Sequence, residues 1–139
     1  MVKMDWIAAG LFAASVLVSC GSGKDFRTAS AAVEQFHRQI AAEQDDAIYD
    51  AADARWKQAI DRQTSHKFFS RLRRRMGNCF QATNSSYRIN FTTSGTFVNL
   101  QYATKCDQGN LDENFSWHIS DGKAYLVAYN ANSPLLLTD

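Results

Sequence analysis

The period of the apolar residues changes once along this 139-residue chain, and that change constrains the fold most strongly. Over residues 28–76 apolar side chains recur every three or four positions, which is the period of an amphipathic helix. From residue 87 onward they alternate with polar side chains, which is the period of a strand with one face in water. A chain of this length encloses one core more readily than two. The sequence therefore predicts a single α+β domain in which helices precede an antiparallel sheet.

The helical period predicts three helices. The first covers residues 28–43. Asp45 and Asp46 interrupt the pattern and can cap a second segment, which we expect to be kinked or split near Ala54. The third helix ends at Gly77, because a residue without Cβ suits the left-handed conformation that follows a helix.

The alternating segments predict four antiparallel strands. Residues 92–95 form a turn between the first two, and Asp121 and Gly122 are a dipeptide favoured by tight hairpins before the last strand, residues 124–129. The inward positions of these segments are apolar or aromatic, and none is a carboxylate or a histidine. We therefore expect the inner face of the sheet to be mainly core.

Two cysteines, Cys79 and Cys106, predict a disulfide. Folding the first hairpin about residues 93 and 94 places Cys106 opposite residue 81, two positions from Cys79. A bulge or a slip of one or two residues would align the pair. Closing this loop of about 28 residues stabilises a domain by about 3–4 kcal/mol on the chain-entropy estimate.

The N-terminus resembles the export signal of a bacterial lipoprotein. Lys3 precedes an apolar stretch, residues 6–18, which as a helix would extend about 20 Å, less than the ~30 Å hydrocarbon core of a bilayer. Residues 17–20, Leu-Val-Ser-Cys, match the lipobox at all four positions. The resemblance implies cleavage after Ser19, lipid on Cys20 and a stable membrane anchor.

This interpretation divides the chain into a signal peptide at residues 1–19, a lipid-anchored flexible tether at 20–27, the folded domain at 28–131 and a C-terminal tail at 132–139. Gly21 is not an aspartate, so the sorting rule of enteric bacteria implies the periplasmic side of the outer membrane. Two alternatives stay open: an ordinary signal peptide with a cysteine near its cleavage site, or the first core helix of a cytosolic protein.

Helices followed by a curved antiparallel sheet resemble the cone-shaped fold of the nuclear transport factor 2-like superfamily. Residues 68–77, Phe-Phe-Ser-Arg-Leu-Arg-Arg-Arg-Met-Gly, are similar to a segment ending in arginine and glycine in the bacterial family called domain of unknown function 4019. The resemblance covers about residues 28–131, whereas the cysteine pair and residues 132–134 depart from it. It implies N-terminal helices packed on a curved four-stranded sheet, with a pocket between them, and supplies no catalytic residues.

The pocket of that fold could take a small apolar ligand. The aromatic side chains that we expect to line it are Phe36, Tyr87, Tyr102, Trp117 and Tyr129.

The titratable side chains favour neither a catalytic centre nor a metal site. An isomerase or dehydratase needs a positioned base. His118 falls on the polar side of its strand, which indicates a surface position. Glu34 and His37 share a helix face near Asp45 and Asp46, but a third zinc ligand is lacking. We therefore predict no catalytic residue, no metal and no other cofactor.

The third predicted helix is locally basic, although the formal net charge of the chain is only +1. That balance argues against a dedicated polyanion binder, and export argues against nucleic acid as a partner. The basic side chains could form ion pairs with the acidic second segment or contact anionic lipid headgroups. They are Lys67, Arg71, Arg73, Arg74 and Arg75.

These features together predict a lipid-anchored protein of the cell envelope that acts as a non-enzymatic binding or interaction module. Its partner would be an envelope protein or a small apolar ligand. The alternatives are a small pocket enzyme of the isomerase or dehydratase type and a structural spacer.

Overall fold

The computed structural model describes residues 21–138, in which helices come first and an antiparallel sheet follows. The helices are α1 (Gly21–Ala41), α2 (Asp45–Ala51), α3 (Ala54–Ala59) and α4 (Arg62–Met76). The strands are β1 (Cys79–Thr92), β2 (Gly95–Cys106), β3 (Gly109–Ser120) and β4 (Lys123–Asn132), followed by a 3-10 turn at Pro134–Leu136. The strands are antiparallel and lie in chain order across the sheet. The predicted α+β class, with N-terminal helices on a four-stranded sheet, is confirmed.

Side-chain caps explain where α3 and α4 begin. The prediction that Asp45 and Asp46 cap the second segment is wrong, because both lie in the first turn of α2, which starts without a side-chain cap. The Asp53 carboxylate accepts a hydrogen bond from the Arg55 N–H at 2.9 Å, and the Asp61 carboxylate accepts one from the Thr64 N–H at 2.7 Å. Each cap satisfies a backbone donor that the first turn of a helix leaves free. Gly77 ends α4 with φ of +70°. The expected split of the second segment and the expected glycine stop are both confirmed.

The core lies between the helices and one face of the sheet. The rings of Phe36 on α1 and Phe115 on β3 meet edge to face with centroids 5.2 Å apart, and Phe36 meets Phe69 of α4 in the same way at 5.6 Å. Tyr129 of β4 lies 4.7 Å from Phe36. Such rings bury large apolar areas and prefer tilted contacts. This cluster holds α1 across the sheet and thereby positions the next residue, His37.

Two irregularities in β1 set the register of the disulfide. The pairing of β1 with β2 shifts between Cys79 and Gln81 and again between Asn84 and Ser86. The two shifts bring Cys79 opposite Cys106, and their sulfur atoms are bonded at 1.99 Å. The predicted disulfide and the slip that it required are confirmed.

Strand β1 is an edge strand that the helices leave largely uncovered. Tyr87 pairs with the buried Leu100 of β2, so it faces the same side of the sheet, yet it is 59% exposed. Its ring packs on Phe26 of α1 at 4.7 Å. The expectation that Tyr87 lines an interior pocket is corrected, because period-two alternation shows which face a residue takes but not whether a helix covers that part of the face.

Both ends of the described chain differ from the sequence-based expectation. The helix α1 includes residues 21–27, where we expected a flexible tether. After β4 the chain folds back on α4: Ser133 is buried, and the Arg71 guanidinium donates a hydrogen bond to the Leu136 carbonyl at 2.9 Å. The predicted C-terminal tail is therefore packed against the domain at Ser133, Leu135 and Leu136, whereas Leu137 is 80% exposed. The predicted signal peptide and Cys20 lie outside the described residues.

Candidate functional site

A cavity of about 190 Å³ lies between α1, α4 and the ends of β1 and β3 beside the disulfide. Its walls combine apolar with titratable side chains: Ile40, Leu72, Met76 and Leu111 with His37, Arg73, Asp107 and Glu113.

Glu113 is the most unusual residue of this cavity, because it is a carboxylate only 2% exposed. It accepts hydrogen bonds from the hydroxyls of Thr104 and Tyr129, both at 2.6 Å, and its Oε2 lies 2.8 Å from the His37 Nε2. The expectation that no carboxylate or histidine faces the interior is therefore wrong. The alternation that begins at Leu111 places Glu113 on the inner face of β3.

The hydrogen bonds around Glu113 decide its charge. Burial raises the pKa of its carboxyl, but hydrogen bonds from His37, Thr104 and Tyr129, together with the charge of His37, outweigh burial and hold this pKa below its ordinary value. Burial, the Glu113 charge and the hydrogen bond to it raise the pKa of the Tyr129 hydroxyl well above 10.0. At neutral pH the site therefore contains a carboxylate that accepts bonds and a phenol that donates one.

The carboxylate orients the imidazole of His37. Since ionised Glu113 can only accept hydrogen bonds, we assign a proton to the Nε2 of His37, and Nδ1 is left for another partner. The side chain of His37 is 24% exposed and lines the cavity. The pair thus fixes the imidazole of a residue that lines the cavity.

A second buried ion pair supports the same wall. The Arg73 guanidinium donates to both carboxylate oxygens of Asp45, at 2.6 and 2.8 Å, and to the Ile40 carbonyl at 3.3 Å. Asp45 is 3% exposed, and the hydrogen bond with it raises the pKa of Arg73 above its ordinary value. Such a bidentate pair fixes orientation as well as charge. Arg73 therefore joins α4 to the start of α2 and is unavailable to lipid, contrary to its predicted surface role.

The other basic residues of α4 lie outside the cavity. Lys67, Arg71 and Arg74 are exposed, and Arg75 is half-buried. Arg74 donates a hydrogen bond to the Ser70 hydroxyl at 2.8 Å. The predicted basic face thus contains one structural arginine, Arg73, beside four more accessible cations.

The remaining candidate residues occupy several places. Phe36 lines the cavity, Tyr129 contributes its hydroxyl to Glu113, and Tyr102 is buried in the core. Trp117 borders a separate hollow of about 140 Å³ that it shares with Phe36. Of the five aromatic residues that we expect to line the cavity, Phe36 alone borders it. The walls of the cavity are mostly aliphatic and polar.

His118 has a structural role at a distance from the cavity. Its Nδ1 lies 2.9 Å from the Asp53 carboxylate, and its ring stacks on Phe97 with centroids 5.0 Å apart. Glu34 is exposed and does not share a site with His37. Over residues 21–138 we find no group of three histidine, cysteine or acidic side chains placed to hold a metal ion.

Comparisons with known proteins do not assign the site. No family model matches this sequence, and no curated protein matches it significantly. Among residues 21–138 no helix has both the length and the apolar character needed to cross a membrane. The functional interpretation therefore depends on the sequence and on the geometry of the cavity.

Proposed function

We propose that this chain is a lipid-anchored protein of the bacterial cell envelope, on the periplasmic side of the outer membrane, whose cavity binds a small molecule through His37. The lipobox at residues 17–20 and the Cys79–Cys106 disulfide, a bond typical of oxidising compartments, support the location. The order of helices before sheet, with a cavity between them, supports a relationship to the nuclear transport factor 2-like superfamily.

The His37–Glu113 pair carries the binding proposal. A buried carboxylate costs folding free energy unless it is fully hydrogen-bonded. Here one of the hydrogen bonds that satisfy Glu113 also orients the imidazole of His37 at the cavity wall. Arg73, which also lines the cavity, is equally constrained, since Asp45 holds it in place. A site whose polar groups are oriented in advance loses less entropy when a ligand binds.

The cavity also limits the ligand. Its volume of about 190 Å³ is smaller than the roughly 300–1,000 Å³ of pockets for drug-sized molecules. Its apolar surface comes from Ile40, Leu72, Met76 and Leu111. The ligand class is therefore a compact apolar molecule with one hydroxyl group, which donates a hydrogen bond to the Nδ1 of His37.

We expect Ile40→Trp to weaken such binding at least about tenfold, because the larger ring fills the cavity. The probes are phenol, cyclohexanol and their methyl analogues toluene and methylcyclohexane, with affinity measured by calorimetry. Ile60→Trp is the matched control, since Ile60 is also half-buried but lines a different hollow. His37→Leu should weaken the hydroxyl probes and spare the methyl analogues. Equal affinities in Ile40→Trp and wild type would contradict the proposed site.

We expect Cys20→Ser to abolish lipid attachment, because serine has no thiol to form the thioether. Intact mass of the membrane fraction should show residues 20–139 plus lipid for wild type, whereas the variant should be released or remain as the uncleaved precursor. Recovery of unmodified wild-type chain that starts at Met1 would refute the anchor.

The same pair favours a second candidate, a small acid–base enzyme. A carboxylate that holds an imidazole by one nitrogen prepares the other nitrogen to accept a proton. The reaction would be proton abstraction from a small apolar carbonyl compound. Deuterium exchange of cyclohexanone α-protons, followed by NMR, tests this: the exchange should require His37 and disappear in His37→Gln. Exchange no faster than in buffer alone would exclude this activity.

A further inference from the structure

The first turns of α1 and the neighbouring part of β1 form an exposed surface that lies outside the cavity. Its aromatic members are Phe26, Tyr87 and Phe91, and its cations are Lys24 and Arg27. We call this group the anchor-proximal surface.

Two of the three aromatic side chains of this surface are unusually exposed for their size, and Phe26 is half-buried. Tyr87 is 59% exposed and Phe91 68%. Both take the side of the sheet that α1 packs against, since their partners in β2 are Leu100 and Thr96. Phe26 lies against Tyr87 at 4.7 Å. Neighbouring exposed aromatics of this kind mark a surface that contacts a partner or a membrane.

The position of Cys20 indicates which occupant this surface meets. Gly21 is already helical and follows Cys20 directly in the chain, so the thioether lipid would be attached at the first turn of α1. Phe26 is five residues beyond Gly21, about 8 Å along the helix axis. A domain joined to its lipid in this way, without a tether, places the anchor-proximal surface at the depth of the headgroups.

The charge of the surface agrees with a lipid occupant. Lys24 and Arg27 are both exposed, whereas Asp25 is half-buried. Cations next to a lipid anchor are attracted to anionic headgroups, and aromatic rings are favoured at the membrane–water boundary. A lipid chain and an adjacent basic and aromatic patch together give a firmer association than either one alone.

We propose that the anchor-proximal surface docks the domain directly on an anionic bilayer. This inference rests on the proposed lipidation of Cys20. Docking leaves the cavity facing away from the membrane, because Ile40, Ala41 and Cys79 line it at the other end of α1, about 30 Å from Gly21.

The test uses the full lipidated chain, reconstituted in vesicles of phosphatidylcholine and phosphatidylglycerol in which part of the phosphatidylcholine carries brominated acyl chains. The two reporter variants, Tyr87→Trp and Phe91→Trp, each place one tryptophan in the anchor-proximal surface. Phe80→Trp is the matched control, since Phe80 is as exposed as Phe91 and lies on the same strand, but next to Cys79. Wild type supplies the background from Trp56 and Trp117, which are both buried.

Each reporter substitution adds tryptophan emission to the wild-type background. We expect brominated lipid to reduce this added emission roughly twofold or more, because rings at the headgroup boundary lie within about 5–10 Å of the acyl chains. The emission added by the control substitution Phe80→Trp should be unchanged. Replacing phosphatidylglycerol by phosphatidylcholine should weaken the quenching of both reporters.

Each other outcome overturns the inference in a distinguishable way. A chain that fails to float with the vesicles overturns the anchor and the docking together. A chain that floats while both reporter variants are unquenched, or while the control variant is quenched equally, overturns the docking alone. A dimer that dissociates in Phe91→Ser would show that a second copy covers the surface, which also overturns it.

Discussion

Replacement of Glu113 by alanine is expected to lower the free energy of unfolding by about 3–4 kcal/mol. The Tyr129 and Thr104 hydroxyls are buried around this carboxylate, and each would lose its acceptor. A buried group left without a partner costs about 1–3 kcal/mol. Glu113→Gln keeps one acceptor oxygen and should cost about half as much. Urea unfolding measures both losses.

The matched control is Asp112→Ala, since Asp112 is the preceding residue of β3 but is exposed. It should change stability by no more than about 0.5 kcal/mol. If Glu113→Ala and Asp112→Ala have the same small effect, the hydrogen-bond network does not stabilise the fold as described.

The effect of Glu113→Gln on stability should depend on pH. Because the folded pKa of Glu113 is lower than its ordinary value of 4.5, its charge stabilises the fold above about pH 4.5, and this contribution is lost as the pH falls through the folded pKa. The pKa values of Asp50, Asp53 and Asp61 are also lowered, so wild type and Glu113→Gln both weaken in acid. The stability difference between them isolates Glu113, and it should shrink as the pH falls below about 4.5. A constant difference would contradict the described charge state.

Reduction of the Cys79–Cys106 disulfide is expected to lower stability by about 3–4 kcal/mol, because the bond closes a loop between residues 27 positions apart. For a domain of this size the loss corresponds to a fall in Tm of roughly 10–15 °C. Calorimetry with and without a reductant measures the shift. The bond joins the open end of the β1–β2 hairpin, so its removal should first loosen the part of the sheet beside the cavity.

The control for this experiment is the double variant Cys79→Ser and Cys106→Ser. It should melt near the temperature of the reduced wild type and should not respond to the reductant. An unchanged Tm of the wild type under reduction would show that the bond contributes little, and a response of the double variant would show that the reductant acts elsewhere.

Local chemistry explains why several elements of the fold could be predicted. The glycine that ends α4 and the Asp-Gly turn before β4 depend on neighbouring residues alone. The disulfide register was also accessible, because hairpin pairing counts residues from a turn and needs only small bulges to be adjusted. The split between α2 and α3 could also be predicted from neighbouring residues.

The site was less accessible, and Glu113 shows why. Its signal was present: continuing the alternation backwards from Phe115 places Glu113 and Leu111 on the inner face of β3. A buried carboxylate is rare without partners, however, and its partners come from three different elements, of which α1 supplies His37 from 76 positions away. Arg73 is similar, since a basic run does not show which cation meets a buried aspartate.

The amino-acid sequence was enough to predict the order of the elements, their periods, the glycine that ends α4, the disulfide partners and the candidate anchor at Cys20, because these depend on residues that are near in the chain or joined by one hairpin. Four other features became visible only in the folded domain: Glu113 orients His37, Arg73 is structural, Tyr87 is exposed, and a cavity lies beside the disulfide. Those features depend on which surfaces the helices cover when they cross the sheet. That coverage follows from packing between distant segments, and local periodicity does not contain it.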